Sequence, residues 1–266
     1  MDGPLASGAS SGYQQRGQAW DPFRSDIIDL LKTADQVEIE PIYYGSNHTF
    51  LVTLDGDESG RSFAVYKPSR GEYPLYDFPN GTLYRREIAS WVVNDILGWN
   101  VVPPTVDSTG AYGIGSLQLF IEGHQSGEIA LQELRRLCLL DILYNNADRK
   151  AEHCLVGDNG KLWGIDHGLT FNYQPKLRTV LWHFAGSRIA SDDLADLKRL
   201  RIALSKNDEA ASHLRDLLSR REWGALLARL DRLIADGCFP DPRYKAVPYR
   251  LVGPTLPFTA TPYNRM

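Results

Sequence analysis

The sequence changes character about half-way along the chain, and this change constrains the fold more than any other feature. The first half contains β-branched and aromatic runs typical of strands, whereas the second half is dominated by helical periodicity. A β-rich part followed by an α-rich part is typical of an α+β fold with two lobes and a cleft. We therefore predict a bilobal architecture with a β-rich N-lobe over residues 20–122 and an α-rich C-lobe over residues 123–250.

Local patterns predict the elements within these lobes. Gly98 and Gly237 are predicted to end two of the helices, because glycine is the common residue just after a helix. The predicted helices cover residues 26–33, 85–97, 131–144, 192–204, 208–220 and 222–236. The predicted strands cover residues 37–44, 49–54, 62–67, 117–121, 153–156 and 162–165.

The two ends of the chain differ from the interior. Residues 1–19 are rich in Gly, Ser and Gln, so they carry too little apolar surface to order themselves, and we predict a disordered tail. They also lack the basic start and apolar run of a signal peptide. Residues 251–266 form a Pro- and Thr-rich tail that contains Leu, Phe and Tyr, and we expect it to be extended and able to dock.

Composition excludes several classes of function. The formal net charge is −4, so no basic excess indicates a nucleic-acid partner. The three cysteines show no C-x-x-C spacing, which argues against a disulfide scaffold and favours a reducing compartment. No apolar run approaches the roughly 18 residues needed to span a bilayer. We therefore expect a cytoplasmic protein without stable membrane insertion.

Two carboxylates follow predicted elements that are close in sequence. Asp148 belongs to the polar run at residues 145–150, directly after an apolar helix, and Asp166 follows the next hairpin. Carboxylates at the ends of adjacent short strands can converge to handle a divalent cation and the proton of a nucleophile. Taken alone, the polar run is equally typical of an ordinary turn at a helix end.

A lysine in the first half is the candidate cation of a nucleotide site. Lys67 closes a strand on the face that carries Phe63 and Val65, where an ammonium is costly unless it is paired. Glu87 on the next helix is an available partner, although most lysines at strand ends point to water. The two arginines before Glu87 are expected to be solvated surface rather than competitors for it.

Two further segments offer backbone groups to a ligand. The turn at residues 45–48 can aim N–H groups and the Ser46 hydroxyl at a phosphate, although an ordinary β-turn has the same composition. The strand at residues 117–121 would link the lobes, and its edge could bind a flat heterocycle, as any edge strand could.

Taken in chain order, these candidate segments run from the turn with Ser46, through Lys67, Glu87 and the linking strand, to Asp148 and Asp166. This order resembles that of the atypical kinases, namely the phosphatidylinositol 3-/4-kinase-like group with the HipA-type and Golgi secretory kinases. Those families have an Asp-Arg-His-like catalytic loop and an Asp-Phe-Gly- or Asp-Asn-Gly-like metal motif. Here Arg149 is retained, Lys150 replaces the histidine, and Asp166-His167-Gly168 keeps the outer two residues. More closely, the chain resembles an actinobacterial kinase-like family described as phosphatidylinositol kinase-related. That resemblance covers roughly residues 37–250, chiefly through SNHTFLV, AVYKP, YRREIASWVV, NNADRKAEHCLV and LWGIDHGLTF.

The resemblance implies an ATP-dependent phosphotransferase that uses magnesium or manganese. Asp148 would orient or deprotonate the acceptor hydroxyl, and Asp166 would bind the metal that bridges the ATP phosphates. Lys67 would contact the phosphates and be held by Glu87. The remaining nucleotide contacts would come from Ser46, Asn47, Gln118, Leu119, Phe120 and Ile121.

The phosphoacceptor is not identified by the resemblance. A lipid kinase needs a basic surface for anionic membranes, whereas this chain is net acidic and has few basic residues after Asp166. We therefore expect a hydroxyl on a protein or a small molecule in preference to a lipid.

One position departs from the family pattern. Phosphoinositide kinases have a metal-binding Asn five residues after the catalytic Asp, and His153 occupies that position here. Imidazole is a poor magnesium ligand and suits softer ions. Either Asn146 or Glu152 substitutes, or the protein prefers manganese, or it binds nucleotide without efficient turnover.

Two rival functions stay open. A nucleotide-binding pseudokinase or scaffold is favoured by His153, whereas the retained Lys67, Asp148 and Asp166 argue against it. A metal-dependent hydrolase would need a zinc or di-metal site, although the available residues fit no familiar zinc spacing. The candidate ligands of that site are His153, Cys154, Asp166, His167 and His183.

Overall fold

The structure, a computed structural model, describes residues 20–43, 47–157, 159–206 and 208–241, and the main chain of the strand Thr259–Thr261. Most of both predicted tails therefore lies outside the described residues. The helices are α1 Ile27–Thr33, α2 Leu83–Leu97, α3 Leu131–Tyr144, α4 Ser191–Ala203, α5 Glu209–Leu217 and α6 Arg220–Asp236. The strands are β1 Asp35–Ile42, β2 Thr49–Asp55, β3 Arg61–Pro68, β4 Thr105–Gly110, β5 Gly113–Leu119, β6 Glu128–Ala130, β7 Cys154–Val156, β8 Leu162–Gly164 and β9 Thr259–Thr261.

The α+β prediction is confirmed, with a β-sheet part and a helical part. The chain divides into two compact units, and the sheet unit consists of Met1–Tyr73 and Pro104–Phe120. The helical unit consists of Pro74–Pro103 and Ile121–Met266, so α2 is grouped with α3 to α6. The predicted lobe boundary at residue 122 stays a prediction.

The sheet unit is a five-stranded antiparallel sheet with the strand order β1-β2-β3-β5-β4. Its core consists of alternating positions on adjacent strands, where Val52, Ala64, Tyr66 and Leu117 are fully buried. Strand β4 was not predicted, because its TVDSTG sequence combines weak alternation with a terminal glycine.

The helical unit is built around α2 and α3, whose buried residues share one hydrophobic cluster with α4, α5 and α6. Gly98 and Gly237 end α2 and α6 in the left-handed conformation, as predicted, with φ angles of 67° and 59°. A capping box between Ser219 and Glu222 begins α6. Within the described ranges, every helix is too short or too polar to cross a membrane.

One of the two arginines before Glu87 lies in the interior, which corrects the expectation that both are solvated. Arg86 is buried and forms an ion pair with Glu222 of α6. Its Nε also donates to the carbonyl of Thr170 at 3.0 Å. The multiple donors of a guanidinium allow one side chain to connect a helix, a loop and a capping box.

Candidate active site

The candidate catalytic loop begins where α3 ends. Asn145 follows the helix in the left-handed conformation, with φ of 55°, a backbone geometry that asparagine tolerates well. Its side-chain Nδ2 donates to the carbonyls of Asn172 and Gln174 at 2.9 and 2.6 Å, and its Oδ1 accepts from the N–H of Lys176 at 2.9 Å. The segment after the Asp166 motif is thereby attached to the start of the catalytic loop.

A buried ion pair forms the inner side of this loop. Asp141 of α3 and Arg149 are both fully buried, and Arg149 Nε donates to the two carboxylate oxygens at 3.0 and 3.1 Å. Asn146 Nδ2 and Thr179 Oγ1 complete the shell of Asp141, each at 2.9 Å. Burial opposes the charge of Arg149, but its carboxylate neighbours outweigh that penalty and raise its pKa.

Arg149 also connects the catalytic loop to the metal motif. Its Nη1 donates to the carbonyl of Ile165 at 2.8 Å, and its Nη2 lies 2.7 Å from Nε2 of His167. An arginine can only donate, so His167 Nε2 accepts and the buried imidazole is neutral, with its proton assigned to Nδ1. The middle residue of Asp166-His167-Gly168 therefore holds the two segments together.

The outer side of the loop carries the two candidate carboxylates. The Asp148 side chain is 30% exposed, and its Oδ2 lies 3.1 Å from Nζ of Lys150. The Asp166 side chain is 49% exposed, and its Oδ2 lies 3.3 Å from Nε2 of His153. Asp166 and His153, which the resemblance assigns to the metal, are thus in contact, and their role as metal ligands stays a prediction.

The charges of this outer side act on one another. Burial lowers the pKa of His153, partly offset by the carboxylates of Asp166 and Asp148. Burial also opposes the charge of Lys150, but its hydrogen bond with Asp148 and the charges of Asp148, Glu152 and Asp166 raise its pKa overall. Lys150 is therefore a permanent cation beside the candidate base near neutral pH.

Backbone geometry positions Asp166. Its φ angle is 58°, a left-handed conformation that few non-glycine residues adopt and that is often found at functional sites. Hydrogen bonds on both sides stabilise this conformation: Ile165 N donates to the carbonyl of His153 at 3.0 Å, and His167 N donates to Glu87 Oε2 at 2.8 Å. Glu87 is buried and supports the metal motif directly, a contact that sequence reasoning missed.

Three of the predicted nucleotide-binding residues lie in the N-terminal part of the sheet unit. Lys67 lies near the end of β3 and is half-buried, and its pairing with Glu87 of the other unit stays a prediction. Asn47 Oδ1 accepts from the N–H of Tyr73 at 2.7 Å, so this oxygen links the segment before β2 to the segment after β3. Ser46 lies outside the described residues.

The expectation that the strand at residues 117–121 offers a free edge is wrong. Strand β5 lies between β3 and β4, and the side-chain Nε2 of Gln118 donates to Thr105 Oγ1 at 2.9 Å. Leu119 N donates to the carbonyl of Pro104 at 2.8 Å, and Phe120 N donates to that of Phe63 at 3.0 Å. These two N–H groups are therefore unavailable to adenine, whereas the role predicted for Ile121 stays a prediction.

The available donors fit a nucleotide-bound magnesium or manganese ion better than an all-protein metal site. Across the described parts of the chain, no three His, Cys, Asp or Glu side chains converge on a common metal position. Magnesium keeps several waters and is bound by one or two carboxylates together with substrate phosphates. Asp166 offers one such carboxylate, and the adjacent imidazole of His153 suits manganese better than magnesium.

The same finding argues against the zinc hydrolase. His167 Nε2 already accepts from Arg149, and Cys154 is a buried core residue of β7. Burial raises the pKa of the Cys154 thiol to about 12, so the thiolate that zinc requires is disfavoured. Asn146, the proposed substitute metal ligand, is also buried and hydrogen-bonded to Asp141.

The chain is 33% identical over 269 residues to Protein Rv2133c of Mycobacterium tuberculosis. The aligned region covers 85% of this chain and 95% of that protein. The chain belongs to the Rv2133c family. No family model matches the sequence.

This member of the Rv2133c family is also similar to kinases. It is 33% identical over 155 residues to phosphatidylinositol 4-kinase gamma 4 of rice (Oryza sativa subsp. japonica), over 42% of this chain and 27% of that kinase. The Golgi casein kinase with Mn/ADP bound has a similar structure, with a TM-score of 0.52 and 16% identity over 79% of this chain and 74% of that chain. The fold is therefore kinase-like, and the relatives support an atypical kinase-like family.

Proposed function

We propose that this member of the Rv2133c family is an ATP-dependent phosphotransferase that acts on an alcohol. The observation that carries the proposal is the outer side of the catalytic loop, where Asp148 lies beside Lys150 and Asp166 lies beside His153. The kinase-like fold and the partial match to a plant phosphatidylinositol 4-kinase support the same reaction class. The manganese and ADP of the Golgi casein kinase suggest a nucleotide with a divalent metal here.

The proposed residues have separate tasks. Asp148 accepts the proton of the acceptor hydroxyl while that oxygen forms a bond to the γ-phosphorus and the bond to the β,γ-bridging oxygen breaks, releasing ADP. Asp166 and His153 would hold the metal, which neutralises charge on the phosphates. Lys67 supplies a further cation to the phosphates, with Glu87 as its proposed partner. Such chemistry depends mainly on positioning and electrostatic stabilisation.

The remaining nucleotide contacts are proposed from the sequence resemblance. Ser46 and Asn47 would lie over the phosphates, and the residues from Gln118 to Ile121 would lie near the adenine. Because β5 is paired with β3 and β4, and the N–H of Phe120 is already used, Ile121 is the better candidate. We further propose a cytoplasmic location and a hydroxyl acceptor on a protein or small molecule.

Incubation with γ-labelled ATP and a fractionated bacterial lysate tests the proposal. We expect wild type to transfer label to an acceptor with magnesium or manganese, and Asp148→Asn to reduce transfer by about 100-fold or more, as expected for loss of a general base. Asp29→Asn, an exposed carboxylate on α1, is the matched control.

Tight ATP binding by wild type without transfer to any fraction would contradict the proposed activity. It would favour the pseudokinase, for which the imidazole of His153 beside Asp166 is the supporting observation. Equal transfer by wild type and Asp148→Asn would instead contradict the role of Asp148.

A further inference from the structure

A cavity of about 700 Å³ lies between β6, the first turn of α3 and the turn of the β7–β8 hairpin, all in the helical unit. Its lining includes Glu128 of β6, Glu133 of α3, and Asn159 and Lys161 of the hairpin turn. We call it the β6 cavity. Its volume falls within the roughly 300–1,000 Å³ of typical ligand pockets. None of the residues on the outer side of the catalytic loop lines it.

Strand β6 is paired with a segment from the far end of the chain. In the part of the chain that the structure describes, the strand partner of β6 is β9. The two strands run in parallel, with Glu128 opposite Thr259 and Ala130 opposite Thr261. Strand β9 also lies next to α3. The C-terminal segment thus reaches the helical unit beside the β6 cavity.

The pairing of β6 with β9 is too short to be stable by itself. Each strand has three residues, and an isolated two-stranded pair is marginally stable in water without further packing. Ile129 supplies part of this packing, because it is buried in the hydrophobic cluster of the helical unit. Residues 262–266 directly follow β9 and are the next part of the chain that could extend the contact.

The parallel register sets the direction in which these residues continue. Strand β6 leads into the first turn of α3, so the chain that follows Thr261 is directed toward Glu133 and the β6 cavity. Four residues of extended chain, the separation between Thr261 and Arg265, span up to roughly 13 Å. Because Ala130, the partner of Thr261, itself lines the cavity, Arg265 is within reach of it.

Charge also matches the β6 cavity to this segment. Lys161 is neutralised by Glu133, whose Oε1 lies 2.6 Å from Nζ. Glu128 is exposed, and its carboxylate makes no hydrogen bond or ion pair with the residues that the structure describes. Arg265 is the single charged side chain of residues 251–266. A carboxylate at the cavity thus has a candidate cation in the segment directed toward it.

We propose that the β6 cavity is the docking site of the chain's own residues 262–266, held by an ion pair between Arg265 and Glu128. Pro262 favours an extended continuation of β9, and the alternation of extended residues would place position 265 on the face that carries Glu128. Docking would support the start of α3, the helix that leads into the catalytic loop. The inference is independent of the proposed phosphotransferase activity.

Hydrogen–deuterium exchange of the full chain, measured by mass spectrometry with millisecond labelling, tests the inference. The variants are Glu128→Arg, Arg265→Glu and the double variant that combines both. Arg250→Glu is the matched control, because it reverses another arginine of the C-terminal segment nine residues before β9. Peptides that cover β6 and residues 259–266 report the docking, and circular dichroism confirms the fold of each protein.

We expect residues 263–266 of wild type to exchange more slowly than the same sequence in a free synthetic peptide. Each single charge reversal should speed their exchange by about 2- to 5-fold, as expected for the loss of one exposed ion pair. The double variant should restore slow exchange, because it restores opposite charges. Arg250→Glu should behave like wild type.

Three results would overturn the inference. They are exchange of residues 263–266 in wild type as fast as in the free peptide, single reversals without effect, and a double variant that exchanges as fast as the single variants. A mixture of the Glu128→Arg and Arg265→Glu proteins tests a second copy as the occupant. Slow exchange restored in that mixture would assign the segment to a neighbouring molecule and contradict docking within one chain.

Discussion

The two sides of the catalytic loop use charged residues for different purposes. On the inner side, Asp141 and Arg149 are fully buried and saturated with hydrogen bonds, so they can contribute to stability but cannot reach a ligand. On the outer side, the side chains of Asp148 and Asp166 are 30% and 49% exposed, so a ligand can reach them. Burial therefore separates the structural carboxylate from the two candidate catalytic ones within a few residues of one chain.

Replacing the inner carboxylate should give the largest effect on stability. Asp141→Ala leaves the Arg149 guanidinium buried without its counter-charge, and breaking a buried ion pair in this way costs about 3–5 kcal/mol. Urea unfolding followed by circular dichroism measures the loss. Asp148→Asn is the matched outer variant, and we expect its unfolding free energy to stay within about 0.5 kcal/mol of wild type. Similar losses in both variants would abolish the distinction between the two sides.

The proposed pair of Lys67 and Glu87 tests the same distinction between structural and ligand-binding charges. Glu87 supports the fold, whereas Lys67 is proposed to bind the ATP phosphates. Glu87→Ala removes the acceptor of the buried His167 N–H, and we expect a loss of about 1–3 kcal/mol in unfolding free energy. Lys67→Ala removes a half-exposed cation, so it should weaken ATP binding more strongly than Glu87→Ala but change stability less. Calorimetry and urea unfolding of both variants check this, and the reverse ranking would assign Lys67 to structure.

His153 tests whether the outer side selects the metal. Manganese accepts mixed oxygen and imidazole ligands more readily than magnesium, so wild type should bind ATP a few-fold more tightly with manganese. His153→Asn should reduce this ratio by restoring an oxygen donor. Titration of ATP with each metal gives both ratios, and the hypothesis is falsified if they are identical.

The cysteines give the smallest expected effect. Burial raises the pKa of Cys154 to about 12 and that of Cys138 well above its usual value, so both thiols stay protonated near pH 8. Cys238 is only partly buried. Iodoacetamide at pH 8 should therefore modify Cys238 first, as peptide mass spectrometry would show. Rapid modification of Cys154 in folded protein would reopen the zinc hypothesis.

The sequence predicted the elements with strong local signals. The helix predicted over residues 131–144 matches α3, because its apolar repeat stops abruptly at the polar run that begins with Asn145. The contact between His153 and Asp166 followed from the resemblance, which aligned both with metal-binding positions. Strand order, in contrast, depends on long-range pairing, so the interior position of β5 left no local signal.

The inner network was missed for a related reason. Asp141 appears in the sequence as the one charged residue of the apolar run LCLLDILY, and a buried carboxylate requires partners whose identity only the fold reveals. That isolated charge was the available signal. The left-handed conformation of Asp166 had no such signal, because it depends on hydrogen bonds from both neighbouring residues.

Metal-dependent nucleotide binding by Asp166→Ala tests the central claim most directly. Isothermal titration of ADP with manganese compares wild type, Asp166→Ala and the control Asp29→Ala, with circular dichroism confirming the fold of each. We expect Asp166→Ala to lose metal-dependent binding while keeping its fold, and the control to bind normally. Unchanged affinity for manganese and ADP in folded Asp166→Ala would contradict the assignment of the outer side of the loop as the nucleotide–metal site.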